Sequence, residues 1–310
     1  GAAESALLRA LRRRGATAAL LDDRRLAQLL GTRGATAWLR ARGAAFRPDR
    51  IILGKARGIR PAALARLSER VPTALWYQDL RVPPDPGIVA LARAVRVLFL
   101  TAGGQAPAWR ALGVETTRFL PGAADPELDR PVAPEAGYDA DVAFIGSGYD
   151  AYRAELLCRL AERFRVRVWG PGWERWGGRL GWTGQTARPE DFPRICASAR
   201  IVLGVNPSFQ VDTRVWGYAS NRMWRVVASG GFYLGHATPG ARWLLRDGEH
   251  CAFYDDEPDA LRQIERYLGD DALRRRVREE GGRFVRRHHT FDRRLDNLLT
   301  GRGFENPLAA

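Results

Sequence analysis

The chain has 310 residues, enough for two domains of roughly 100–200 residues each. Its composition, 45% hydrophobic and 27% charged, excludes a disordered chain, and no apolar run approaches the ~20 residues that a membrane-crossing helix needs. The formal charge of +14 is uneven: residues 1–125 hold 21 basic against 9 acidic residues, and the remainder 28 against 26.

Three well-separated cysteines, Cys158, Cys196 and Cys251, form no zinc or disulfide spacing, so free thiols in a reducing cytoplasm are expected. The four histidines lie beyond residue 230 without a metal-ligand pattern, so no tightly bound metal is expected. A GC-rich genome explains why Arg replaces Lys almost everywhere, but not why acids are scarce in one half. Drift and a positive field with a target both stay open.

Strand-sized apolar runs alternate with helical stretches, the pattern of an α/β protein with parallel sheets. After a first helix carrying Ala6, Leu7, Leu8 and Leu11, the run Thr17–Leu21 reads as a strand. Arg50–Leu53 is a second strand, Ala62–Glu69 a helix, Thr73–Tyr77 a third strand and Pro86–Ala94 a helix. Val95–Thr101 and Thr116–Leu120 are further strands around a helix near Ala106–Leu112. Residues 1–125 thus form a Rossmann-like domain, complete if one more strand precedes Gly1. Residues 126–140, rich in Pro, Asp, Glu and Ala, are the expected linker.

A second series spans residues 141–285. Asp141–Ile145 is a strand, Tyr152–Phe164 a helix, Arg165–Trp169 a strand, Pro189–Ser198 a helix and Arg200–Val205 a strand. Asn221–Ala228 is a helix stopped by Gly230-Gly231. Phe232–Leu234 and Cys251–Tyr254 are strands, and the helices Pro258–Leu268, Asp271–Arg287 and Phe291–Leu299 close the chain. Residues 286–310 are a helical tail. Ligands of such sheets sit outside the carboxyl ends of the strands, and two such domains facing a cleft would hold two substrates.

The candidate site residues follow that rule. Gly146, Ser147 and Gly148 lie where a strand hands over to a helix; the alternative is a plain tight turn. Gly170 and Trp173 belong to WGPGWERWGGRLGW, where Trp faces suit bases and sugars, or else pin the loop to the core. Asn206 follows the strand Arg200–Val205. Ser220 and Asn221 suit a helix N-cap, and Arg222 in the first turn is locally unfavourable unless an anion binds there. Arg225 lies one turn on. Thr238 and Gly240 open another short helix and could meet the distal phosphate or the sugar. Asp79 follows the strand Thr73–Tyr77 and is the candidate base; its alternative is a cap or an ion pair. His288-His289-Thr290 reads as a helix break.

From about Asp141 to Leu299 the sequence resembles the CgeB-like, group-1 glycosyltransferases, in DVAFIGSG, RIVLGVN, SNRMWRVVASGGFYL, LLRDGEHCAFYDD and GGRFVRRHHTFDRRL. The first half is similar more loosely, in ALWYQDLR and TTRFLPGAADPELDRP. The resemblance implies a GT-B fold with a terminal helix crossing back onto the first domain. It implies a nucleoside diphosphate sugar, a UDP-sugar foremost, on the second domain and an acceptor on the first. Ser220, Asn221 and Arg222 would then hold the donor phosphates. One departure stands out: many group-1 enzymes carry a pair of glutamates whose matching positions here are Gly217 and Arg225.

The expected function is sugar transfer from a nucleotide sugar, with no tightly bound cofactor. The basic first half suggests a polyanionic acceptor: nucleic acid with a hydroxylated base, a phosphoglycan, or a lipid-linked glycan reached by peripheral membrane contact. The rival class is a GT-B-like protein that binds a nucleotide or glycan without catalysis. A non-enzymatic DNA-binding protein lacks any helix-turn-helix, zinc-finger or RNP signature.

Overall fold

The computed structural model describes residues 2–206 and 217–309. The chain opens with α1 (Ala2–Arg13) and α2 (Asp23–Phe46), the latter capped by Asp22, whose carboxylate accepts the Arg25 N–H, and kinked at Gly31. There follow β1 (Ile51–Leu53), α3 (Pro61–Ser68), β2 (Thr73–Tyr77), α4 (Pro86–Ala92), β3 (Val97–Leu100), α5 (Ala106–Ala111) and β4 (Thr117–Phe119). Next come β5 (Ala140–Ile145), α6 (Ala151–Leu160), β6 (Val166–Trp169), α7 (Asp191–Ser198), β7 (Ala199–Gly204), α8 (Asn221–Ala228) and β8 (Tyr233–His236). The last elements are α9 (Pro239–Leu244), β9 (Ala252–Tyr254), α10 (Glu257–Gly269), α11 (Asp271–His288) and α12 (Phe291–Thr300).

The chain divides into two compact units, residues 1–121 with 291–305 and residues 122–290 with 306–310. The stretch 126–140 falls inside the second unit.

In the first unit, β1 to β4 form one parallel sheet in sequence order. Strands β2 and β3, TALWY and VLFL, are buried along their whole length. Such continuous apolar runs are what a parallel sheet covered on both faces requires. The returning helix α12 packs here: Asp292 pairs with Arg13 (2.6 Å) and Asp296 with Arg14 (2.5 Å), while the Phe291 ring meets Trp76 edge-on at 5.7 Å. Arg294 is buried, donates to the Pro121 carbonyl (3.0 Å) and lies 4.6 Å over the Phe304 ring.

The expected strand Thr17–Leu21 does not form. The run is a largely exposed connection into α2, and no strand pairs with it. Its alanines have too little apolar surface to hold it against a sheet. The helix α2 that follows carried no clear periodicity in the sequence, since the Gly31 kink breaks it into two segments.

In the second unit the parallel order is β6-β5-β7-β8-β9. The order reverses between β5 and β7, which makes their carboxyl ends the topological switch point of this sheet. The core gathers Val142, Phe144, Ile201, Leu203, Leu234 and Tyr254 from the sheet with Leu156, Leu157 and Leu160 from α6 and Ile264 and Tyr267 from α10. All three cysteines are buried and unpaired.

Helix α11 approaches the loop before β9 so closely that a Cβ at Gly281 would overlap the His250 carbonyl oxygen. Gly269, at the end of α10, has nothing within 4 Å of its would-be Cβ. Gly281→Ala should therefore lower the unfolding free energy by about 1–3 kcal/mol through overpacking, whereas Gly269→Ala should stay within about 0.5 kcal/mol of the parent. Urea unfolding of the two variants checks the contrast.

Candidate functional site

The switch point gathers most of the residues singled out from the sequence. Strand β5 ends at Ile145, and Gly146 and Ser147 follow it partly exposed; Gly148 is buried. The turn is tied down by the Gly146 N–H on the Trp169 carbonyl (2.8 Å) and the Gly148 N–H on the Pro171 carbonyl (2.9 Å). Gly170 has φ +144°, and a Cβ there would overlap the Gly146 carbonyl, so only glycine permits this approach of two loops.

Helix α8 begins beside this turn. Ser220 is its N-cap, its hydroxyl accepting the Arg222 N–H at 3.3 Å, and Asn221 is the first helical residue, its side chain lying against Gly122. Arg222 turns back to the strand end: its Nε donates to the Ile145 carbonyl (2.6 Å) and its Cζ lies 4.4 Å from the Phe144 ring centroid. A second guanidinium reaches the same ring. Arg153, from the first turn of α6, has its Cζ 5.2 Å from the Phe144 centroid. It donates to the Ser147 carbonyl (2.8 Å), beyond β5, and to the Val205 carbonyl (3.2 Å), beyond β7.

Neither cation forms an ion pair among the described residues. Burial lowers the pKa of both, and the Arg222 charge lowers that of Arg153 further. Two largely buried like charges beside the positive end of a helix dipole make a site that gains from an anion. Arg153 was not singled out from the sequence. The signal was present, for α6, like α8, has an arginine and no acid in its first turn.

The other strand ends complete the rim. The Asn206 N–H, just after β7, donates to His236 Nδ1 at the end of β8 (3.1 Å). Thr238 caps α9, its hydroxyl accepting the Ala241 N–H (3.1 Å) and donating to the Tyr218 carbonyl (2.7 Å). Gly240 packs directly on the Gly217 backbone.

Two expectations need correction. Trp173 does not present a stacking face: it is fully buried, meets Phe144 edge-on at 5.7 Å and donates Nε1–H to the Gly146 carbonyl (2.9 Å). It pins the loop, as the alternative reading had it. The aromatic ring that the turn does expose is Tyr149, at 76%. Arg225, about one third exposed, is held by a protein acid instead. Its Nε is engaged by Asp129 Oδ1 (2.9 Å) and its Cζ lies 3.7 Å over the Phe192 ring. Asp129 is itself 2% exposed and also accepts the Asp125 N–H (2.9 Å).

In the first unit, Asp79 follows β2 and pairs with Lys55 Nζ at 2.7 Å, about one third exposed. Tyr77, two residues before, is buried, and burial and the Asp79 charge push its phenol up to about 12. Among the described residues no group of three or more His, Cys, Asp or Glu side chains is arranged to hold a metal ion.

Residues 153–300 match a family described as glycosyl transferase-like. None of the curated proteins matches the chain. Among solved structures, sucrose-phosphate synthase from Thermosynechococcus elongatus aligns over 91% of this chain and 80% of its own, with 14% identity and a TM-score of 0.63. HepE from Anabaena, in complex with UDP and glucose, aligns over 97% and 96%, again with 14% identity and a TM-score of 0.63. A glycosyltransferase from Rickettsia africae aligns over 94% and 86%, with 7% identity and a TM-score of 0.61. The fold is GT-B. Within it, the glycosyl transferase-like match begins at Arg153 and so covers both arginines over Phe144.

The Arg225–Asp129 pair can be tested by itself. Burial already raises the Asp129 pKa above its ordinary value, and the Arg225 charge opposes that rise. Arg225→Ala should cost about 2–5 kcal/mol of stability at neutral pH, because it strands a buried carboxylate. A carboxyl whose folded pKa lies above its unfolded one binds protons preferentially in the folded state, so falling pH favours folding through that window. The deficit of the variant should therefore shrink as pH is lowered from 7 towards the raised Asp129 pKa, as read by denaturant titration at several pH values.

Proposed function

We propose that the protein is a glycosyltransferase of the CgeB-like, group-1 kind that takes its sugar from a UDP-sugar held at the β5–β7 switch point. The observation that carries this reading is the pair of guanidiniums, Arg153 and Arg222, over Phe144 at the start of α8. Cleavage of the donor leaves a diphosphate, and preorganised cations aimed at that growing charge lower the barrier most in a site partly closed to water. Two fixed arginines supply the positive charge that a divalent ion would otherwise bring, which supports a metal-independent reaction. The structures of HepE with UDP and with UDP-glucose support uridine as the nucleoside. Gly146, Ser147, Gly148, Gly170, Asn206, Ser220 and Asn221 are the proposed donor contacts, with Thr238 and Gly240 at the sugar end.

Residues 1–125 form the proposed acceptor domain, 141–285 the donor domain, 126–140 the linker and 286–310 the returning tail. Asp79 is the proposed base, with Lys55 Nζ orienting its carboxylate. The excess of 21 basic over 9 acidic residues in 1–125 supports a polyanionic acceptor, with hydroxymethylated DNA, a phosphoglycan and a lipid-linked glycan as its members. Three buried, unpaired cysteines suit a reducing cytoplasm. A second reading, nucleotide binding without transfer, is favoured by Gly217 and Arg225 standing where group-1 enzymes carry glutamates.

The test is a titration with UDP followed by thermal unfolding and by donor hydrolysis. UDP at a hundred times its Kd should stabilise the fold by about 2.7 kcal/mol. Arg222→Ala should weaken UDP at least about tenfold, the value of one charge-assisted hydrogen bond. Asp79→Asn should suppress transfer while leaving UDP affinity within about twofold. A melting temperature indifferent to every nucleoside diphosphate would end the reading, and binding without any turnover would leave the second one.

A further inference from the structure

Of the 24 residues of α2 only Ala35 and Thr36 are buried. Four of the eight exposed large apolar side chains among the described residues fall on this helix and the loop before it: Leu20 (46%), Leu29 (72%), Leu30 (51%) and Trp38 (39%). The surrounding charge has one sign. Between Arg24 and Pro48 the sequence holds six arginines, at 24, 25, 33, 40, 42 and 47, and no acid. None of the six guanidiniums forms an ion pair among the described residues. The two acids at the helix start are already engaged, Asp22 by the Arg25 N–H and Asp23 by the Gly58 N–H.

From this juxtaposition we infer that α2 is a docking element for an anionic lipid surface, its two segments on either side of the Gly31 kink setting Leu29 and Leu30 from the first and Trp38 from the second at the acyl boundary, with the arginines on lipid phosphates. A helix with apolar side chains facing outward among arginines gains on such a surface from both terms at once. Trp and Arg suit this depth, one at the headgroup boundary and the other reaching to phosphate. The helix does not span the bilayer, because its arginines recur along its length and no helix among the described residues is long and apolar enough to cross one. A nucleic acid backbone would satisfy the arginines and leave the leucines in water. A second copy of the helix would set arginine against arginine. The proposal does not depend on the donor site.

The test is flotation of the full chain with vesicles of phosphatidylcholine alone and of an equal mixture with phosphatidylglycerol. The protein should float with the anionic vesicles only, and about 1 M salt should release most of it. Leu29→Ala/Leu30→Ala should reduce the bound fraction at least about tenfold, the partition that two buried leucines provide. Arg33→Gln/Arg40→Gln/Arg42→Gln, which keeps the apolar side chains, should remove the preference for anionic vesicles. Both variants should melt with the parent and bind UDP as the parent does. The inference is overturned if the chain stays in solution with anionic vesicles, or if both variants float like the parent. It is equally overturned if the leucine variant abolishes a dimer seen in sedimentation equilibrium, or an affinity for single-stranded DNA, with no vesicle binding to lose.

Discussion

A guanidinium taken out of water loses its hydration, and without a carboxylate nothing in the protein returns it. The second unit accepts that cost twice within reach of one phenyl ring. Carbonyl oxygens of Ile145, Ser147 and Val205 take up part of the hydrogen bonding, and the Phe144 face takes up part of the charge. The mutual repulsion of the two cations remains. A sheet that reverses its strand order at this point, two helices that begin there and a turn of glycines surround that unbalanced charge.

How much of this was legible in the sequence depends on which interactions were local. The strands β2, β3, β5 and β7 announced themselves as apolar runs, because a parallel sheet buries both faces and leaves little room for polar residues. The start of α8 was equally legible, since a serine cap and a first-turn arginine are neighbours along the chain. Arg153 carries the same mark in the first turn of α6, but its carbonyl partners lie beyond β5 and β7, far along the chain or across the Gly-Ser-Gly turn, and only the fold brings them to it. Thr17–Leu21 failed for the opposite reason. Its pattern fits a strand, but strand formation is decided by a partner, and none pairs with it.

Trp173 and Arg225 show where residue type misleads. A tryptophan in a glycine-rich loop suits a sugar platform and suits an anchor equally well. Only burial separates the two, and the ring is enclosed with its N–H on the Gly146 carbonyl. The anchoring still serves the site, because the carbonyl it fixes belongs to the turn beneath Arg222. Arg225 occupies a position where a glutamate would follow from the resemblance, and the charge reversal is answered by a buried acid, Asp129. That acid lies in the stretch read as a linker, and its burial explains why the stretch belongs with the second unit.

The abundance of arginine carries little meaning until partners are counted. In the second unit surface arginines are mostly answered in kind: Arg165 by Asp139, Arg179 by Glu162, Arg194 by Glu135, Arg200 by Asp141 and Asp271. Such exposed pairs add little stability, but they cancel the local field. Against that neutral background, Arg153 and Arg222 stand as a local positive site. In the first unit the pairs that exist, such as Arg13 and Arg14 with the carboxylates of α12, tie the returning helix down. The six arginines of residues 24–48 have no such answer. A codon bias towards arginine acts on both units alike, so it accounts for the arginines themselves. It does not account for acids accompanying them in one unit and being missing from residues 24–48 in the other.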